Sequence, residues 1–149
     1  MQWSTITATA VGAVLGVMAT LVAEHVRRRH ERADQDRETL LSAFTDYLAA
    51  LARARTAFSK AQPAPEDVGR GHVAISEHGV YAAHQQLELV APQLLVEKAG
   101  RATLSVLDFH DVVVAGHTSG SREYVHAWRA ARQARAALIA EMRLALRQT

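Results

Sequence analysis

Between Trp3 and Ala23 the chain places 21 residues without a charged side chain. As a helix rising 1.5 Å per residue, such a run spans roughly 30 Å, the hydrocarbon thickness of a bilayer. Ser4, Thr5, Thr7, Thr9 and Thr20 interrupt its apolar character. Each hydroxyl can bond back to its own helical backbone, and Trp3 stands at the edge, where aromatic rings favour the interface. The pattern then reverses. Glu24 to Glu38 holds five arginines and five carboxylates. Glu24–Arg28, Arg27–Glu31 and Arg32–Asp36 are attractive pairs one helical turn apart, against the repulsive Arg28–Arg32 and Asp34–Glu38. A solvated helical stalk follows from that pattern. With no Gly or Pro between Gly16 and Pro63, a single helix is expected to continue to about Ala61.

From Leu41 the periodicity becomes that of a packed helix. Leu41, Phe44, Leu48, Leu51, Arg55 and Phe58 recur at spacings of three and four, one apolar face with Arg55 as its exception, expected to snorkel at the rim. QPAPED is a loop. Val73, Val80, Ala83, Leu87 and Val90 predict a second helix from about His72 or Glu77 to Leu89, interrupted by Gly79. Val90-Ala91-Pro92 is a corner, with Pro92 suited to the first turn of a third helix, Pro92 to about Ala115. Its face is Leu95, Ala99, Ala102, Val106, Phe109 and Val113, with Gly100 as a weak point. Gly116 ends it. Ser119 or Ser121 then caps a last helix, with Glu123 favourable in its first turn. Tyr124, Ala127, Trp128, Ala131, Ala134, Leu138, Met142 and Ala145 form its face. The expected fold is all-α: an N-terminal transmembrane helix (1–23), a charged juxtamembrane stalk (24–40), and an antiparallel three- to four-helix bundle (41–149).

The flanks of the apolar run set its topology. A secretory signal carries positive charge before its apolar run and a cleavage site after it. In this chain the basic residues Arg27, Arg28, Arg29 and Arg32 come after it, and the positive-inside rule keeps them in the cytoplasm. An uncleaved single-pass anchor in the cytoplasmic membrane follows, with the C-terminal domain cytoplasmic. The same arginines can also touch anionic lipid. Ala8, Gly12, Gly16 and Thr20 recur every four residues and form one stripe of small side chains, through which two membrane helices approach closely. The membrane and either a second copy or another membrane protein are therefore the expected partners.

Composition sharpens the helical reading. Aromatics are 5% of the 149 residues, and arginine outnumbers lysine 15 to 2. Alanine, arginine and leucine are strong helix formers. No cysteine is present, which excludes disulfides, cysteine zinc sites and thiol nucleophiles. The formal charge of +2 is unevenly spread: residues 63–111 sum to −4 and residues 121–149 to +4. The basic charges of the latter are interleaved with alanines rather than run together, so neutralisation between packed segments is expected and nucleic-acid binding is not.

The sequence offers little chemistry. Eight histidines raise the question of a metal. His72, His78 and His84 are spaced by six, which turns neighbours onto different helical faces. His110 and His117 flank a helix end, and no HExxH occurs. No metal site and no cofactor are expected. His110-Asp111 lacks the later aspartate that a helical metal phosphohydrolase would need, and a surface hydrogen bond accounts for it. Gly116 to Ser121 lacks the lysine of a phosphate loop. Tyr124 and Trp128, one turn apart, are expected to pack in the core, with an interface anchor as the alternative.

The opening WSTITATAVGAVLGVMATLVAEHVRRRHERADQDRE, the alanine-rich helix after it and the LELVAPQLLVEKA corner resemble small single-pass membrane proteins of actinobacteria such as streptomycetes. The resemblance implies a membrane-tethered helical domain and assigns no catalytic residue. The expected function is a non-enzymatic interaction or regulatory module at the inner face of the membrane. The alternatives are a small-ligand or metal-sensing bundle, and an accessory subunit of a larger membrane complex.

Overall fold

The computed structural model describes residues 3–148, with side chains described at Glu24, Arg27, Glu31, Arg32 and from Asp34 onwards. Helices α1 (Trp3–Phe58), α2 (Gly71–Glu77), α3 (Val80–Val90), α4 (Gln93–Val114) and α5 (Arg122–Gln148) make up the chain, with a short 3-10 turn at Pro65–Asp67. Among the described residues there is no strand, so the all-α expectation holds. The chain divides into two units, residues 1–37 and 38–149.

In the first unit, Arg27 and Glu31 form a 2.8 Å ion pair, with both side chains more than half exposed. Such a pair adds little stability. Arg27 and Arg32 are exposed. The side chains of Arg28, Arg29, Ala8, Gly12, Gly16 and Thr20 lie outside the described residues. So does the rest of the Trp3 to Ala23 segment expected to be an anchor. Among the described residues no helix is long and apolar enough to cross a membrane.

The second unit is a helical bundle. Tyr47 of α1 meets Ala99 and Thr103 of α4, and eleven residues later Phe58 meets His110. Residue numbers rise together, so α1 and α4 are parallel. Phe58 also meets His78 and Tyr47 meets His84, so the α2–α3 limb runs antiparallel to α1. Lys98 pairs with Glu141, and Phe109 packs on Tyr124, so α5 is antiparallel to α4. The result is an up-down-up-down bundle with α1 and α4 as one diagonal. Its core holds Phe44, Tyr47, Leu51 and Phe58 of α1, Ile75 of α2, Val80 and Leu87 of α3, Leu95, Val106 and Phe109 of α4, and Leu138 and Met142 of α5.

The periodic stripes fare unequally. All six residues expected on the α4 face are buried. The α5 stripe is buried or half-buried throughout. On α1 the buried arc is wider than one stripe and begins at Leu40; Leu41 is half exposed. Val73 and Val90 are exposed too, and Ile75 takes the interior position. The expected second helix is two helices. Gly79 adopts φ +73° between α2 and α3, a left-handed conformation that breaks the axis and is cheap only for glycine. Pro92 sits just outside α4, with its carbonyl accepting from the Leu95 and Val96 N–H groups.

The ends of α4 and α5 are well made. At the close of α4, the Gly116 N–H donates to Val113 and the His117 N–H to Val112, with Gly116 at φ +95°. That is a Schellman closure. Ser121 caps α5: its hydroxyl oxygen accepts the Tyr124 N–H at 3.2 Å.

Gly71 opens α2 under a different constraint. A Cβ there would lie 2.9 Å from His110 Nδ1 and 3.0 Å from a Leu107 methyl. His110 is buried against Phe58 and cannot swing away freely. Gly71→Ala is therefore expected to destabilise the fold by about 1 kcal/mol, despite alanine's higher helix propensity. A urea titration reads the change, and an unchanged or raised midpoint would show that His110 gives way.

Candidate functional site

Three sets of polar groups stand out within the bundle, and they differ in what remains unsatisfied. The first joins α1 to α4. The Tyr47 hydroxyl is buried and donates to the Ala99 carbonyl at 2.6 Å, while the Thr103 hydroxyl lies 2.8 Å from it. With the phenol proton committed to Ala99, Thr103 donates to the phenol oxygen. Burial raises the Tyr47 pKa to about 12, opposed by the Thr103 bond, which favours the phenolate. Every polar atom in this set has a partner, which suits a structural role.

Histidines form the second set. His110 is buried, not at the surface as expected from its dipeptide. Its Nδ1 lies 3.0 Å from the Asp111 carboxylate, and the same carboxylate oxygen accepts the Gly69 N–H at 3.0 Å. A carboxylate is only an acceptor, so His110 Nδ1 bears the proton. This arrangement anchors the loop before α2 to α4 across 42 residues of chain. His84 Nδ1 lies 3.3 Å from Glu88, and its buried Nε2 has no partner among the described residues. Gly100 lies opposite that nitrogen, where a Cβ would be 3.9 Å away. No group of three or more metal-ligating side chains occurs among the described residues.

The third set is a cleft of about 290 Å³ between α1 and α5. It is lined by Arg55 from α1 and by Arg132, Arg135, Ala136, Ile139, Ala140 and Arg143 from α5. The α5 residues fall at i, i+3, i+4, i+7, i+8 and i+11, one continuous helical stripe. Arg55 and Arg135 are half-buried, and Arg132 and Arg143 are exposed. Arg55 does not simply reach to the rim. Its guanidinium carbon stands 4.9 Å over the Trp128 ring, a cation–π arrangement. Trp128 is held by Phe109, with ring centroids 5.4 Å apart. Burial lowers the proton affinity of Arg55, and the like charges of Arg135 and Arg132 lower it further. The Nε of Arg135 is buried without a hydrogen-bond partner among the described residues.

Two other clefts are lined by both signs. A larger one, about 510 Å³, sets Asp108 and Glu123 beside Arg122 and His126. Another, about 300 Å³, sets Asp67 and Glu77 beside Arg70. The arginine cleft has no carboxylate in its lining. The expected neutralisation between the acidic middle and the basic C-terminal segment takes an unexpected form as well. The ion pair joining α4 to α5 is Lys98–Glu141, whose charges oppose the net sign of their own segments.

Of the residues singled out from sequence, Tyr124 and Trp128 are both half-buried against Phe109, at 5.1 and 5.4 Å between ring centroids. Arg55 was visible in sequence as a break in an apolar stripe. Its partners on α5, Arg132 and Arg135, lie some eighty residues away, and only the tertiary pairing of α1 with α5 brings them together. Tyr47 and Thr103 carried no sequence signal beyond helical phase. No protein-family model matches the chain, and no curated protein and no solved structure is similar to it.

Proposed function

We propose that the protein is a non-enzymatic, membrane-tethered helical module that presents its bundle at the inner face of the cytoplasmic membrane. The observation that carries this reading is the uncharged run Trp3 to Ala23 followed, after Glu24, His25 and Val26, by Arg27, Arg28 and Arg29, an order that favours an anchor with the bundle on the arginine side. The stripe Ala8, Gly12, Gly16 and Thr20 is the proposed docking face for a second copy or another membrane protein. The tether belongs with the actinobacterial single-pass resemblance and extends it to a working role. The mutual bonding of Tyr47 and Thr103 between α1 and α4 supports a core built for packing.

Fractionation of cells producing the full chain tests the tether. The protein is expected in the membrane pellet, resistant to alkaline carbonate and released by detergent. Recovery in the supernatant without detergent would end the proposal. In native membranes, Gly12→Leu with Gly16→Leu is expected to abolish crosslinked species. If those species are homo-oligomers, the stripe pairs two copies; if they contain another protein, the accessory-subunit reading takes over. A second reading, the ligand-sensing bundle, is favoured by one observation, the carboxylate-free arginine cleft between α1 and α5.

A further inference from the structure

Like charges packed together in a folded protein cost free energy unless something compensates them. Arg55, Arg132 and Arg135 converge from two helices on a small cleft, Arg143 extends the same stripe, and no acidic side chain enters the lining. The structure partly compensates Arg55 through the π face of Trp128. It leaves the buried Nε of Arg135 unbonded among the described residues. A buried donor without a partner costs about 1–3 kcal/mol, and this one belongs to a side chain that lines the one-signed cleft. Guanidinium groups offer planar forks of N–H donors that match tetrahedral oxyanions two bonds at a time. Ala136, Ile139 and Ala140 give the same cleft an apolar wall. Its volume of about 290 Å³ lies just under the usual range for small-molecule sites, enough for an anionic head and a short attached group.

We propose that the cleft between α1 and α5 is a binding site for a phosphomonoester group, held by Arg55, Arg132 and Arg135 with the attached group against Ile139. Arg55 binds with its guanidinium still seated over Trp128, so occupancy alters the environment of that indole. The site lies wholly within residues 38–149 and does not depend on the membrane tether; either proposal can fail while the other stands. Phosphate arrives at such a site from two sources, a soluble phosphorylated metabolite or the headgroup of a phosphatidic-acid-like lipid.

The test uses the full chain in neutral detergent micelles, with Trp3→Phe so that Trp128 is the remaining tryptophan of the two in the chain. Inorganic phosphate is titrated at constant ionic strength, with acetate and chloride as controls. Phosphate is expected to shift Trp128 emission saturably and to raise the melting temperature, because a ligand bound only by the folded state stabilises it. Arg135→Gln and Arg55→Gln are expected to weaken phosphate binding tenfold or more. Both variants should fold, since each removes one charge from a repulsive cluster; without ligand the melting temperature of Arg135→Gln should equal or exceed that of the parent, while Arg55→Gln also gives up the contact with Trp128. An equal response to acetate, a response that tracks ionic strength alone, or unchanged phosphate affinity in both folded variants would overturn the proposal. Competition then names the source. Displacement by glycerol phosphate but not by phosphatidic acid in the micelle identifies a soluble ligand, and the reverse identifies a lipid headgroup.

Discussion

Phe109→Ala is expected to lower the unfolding free energy by about 3–5 kcal/mol, the usual range for removing a buried aromatic side chain. Phe109 is fully buried in α4. It makes edge-on and tilted contacts with Tyr124 and Trp128 of α5 at 5.1 and 5.4 Å. Both the transfer of the ring to water and the void left between α4 and α5 contribute. Small residues flank the gap on α5, where Ala127 and Ala131 are the next buried side chains, so little can collapse into it. For a unit of this size the loss corresponds to a fall in melting temperature of roughly 10–20 °C. Urea unfolding of the full chain in micelles, followed by Trp128 emission, measures it. Phe109→Leu keeps most of the volume and is expected to cost less than about 1.5 kcal/mol. A loss below about 1 kcal/mol for the alanine variant would mean that this ring does not join the two helices. The same substitution reaches the arginine cleft: Trp128 loses the ring that positions it, and Arg55 loses a fixed platform. Phosphate affinity should therefore fall in Phe109→Ala even though no arginine is touched.

The parts of this fold that could be read from sequence are those whose large apolar residues follow one plain helical alternation. Helix α4 meets its partners through Leu95, Ala99, Ala102, Val106, Phe109 and Val113, a plain 3–4 alternation, and all six are buried. Helix α1 faces α3, α4 and α5 at once. Its buried set (Leu40, Ala43, Phe44, Tyr47, Ala50, Leu51, Ala54 and Phe58) therefore covers two adjacent stripes, of which the single stripe drawn from Leu41 captures Phe44, Leu51 and Phe58. Alanine hides such an arc, because it is as common on the outside of these helices as inside. The break at Gly79 was visible as a glycine but not as a corner, since glycine also sits within the continuous helix α4 at Gly100. The cleft is harder still. A lone arginine in an apolar stripe has an ordinary explanation in snorkelling. Its meaning changes only when the fold sets Arg132 and Arg135 against it. Sequence spacing reports faces of one helix; it carries no register between two helices almost eighty residues apart.

Tyr47 should make the bundle sensitive to alkali between pH 10 and 12. Its phenol has an ordinary pKa of 10.0 in the unfolded chain and about 12 in the folded one, raised by burial. The folded state therefore prefers the protonated phenol. That preference is complete below pH 10 and is lost as pH rises through 12. A shift of this size corresponds to roughly 3 kcal/mol, so the unfolding free energy should stay level from pH 7 to 9 and fall by up to that amount between pH 10 and 12. Two lysines and the tyrosines Tyr81 and Tyr124 share the alkaline range, so the Tyr47→Phe comparison isolates the Tyr47 contribution. Tyr47→Phe separates the bond from the charge. At pH 7 it leaves the buried Thr103 hydroxyl without the phenol oxygen and should cost about 1–3 kcal/mol. Between pH 10 and 12 it should be flatter than the parent, so the two stability curves converge. Adding Thr103→Val removes the orphaned hydroxyl and should recover most of the loss at pH 7, because replacing both partners by apolar groups is nearly neutral. Urea titrations at each pH, with tyrosinate absorbance followed in parallel, give both quantities. An alkaline limb of equal steepness in Tyr47→Phe would place the titrating group elsewhere and detach Tyr47 from the α1–α4 junction.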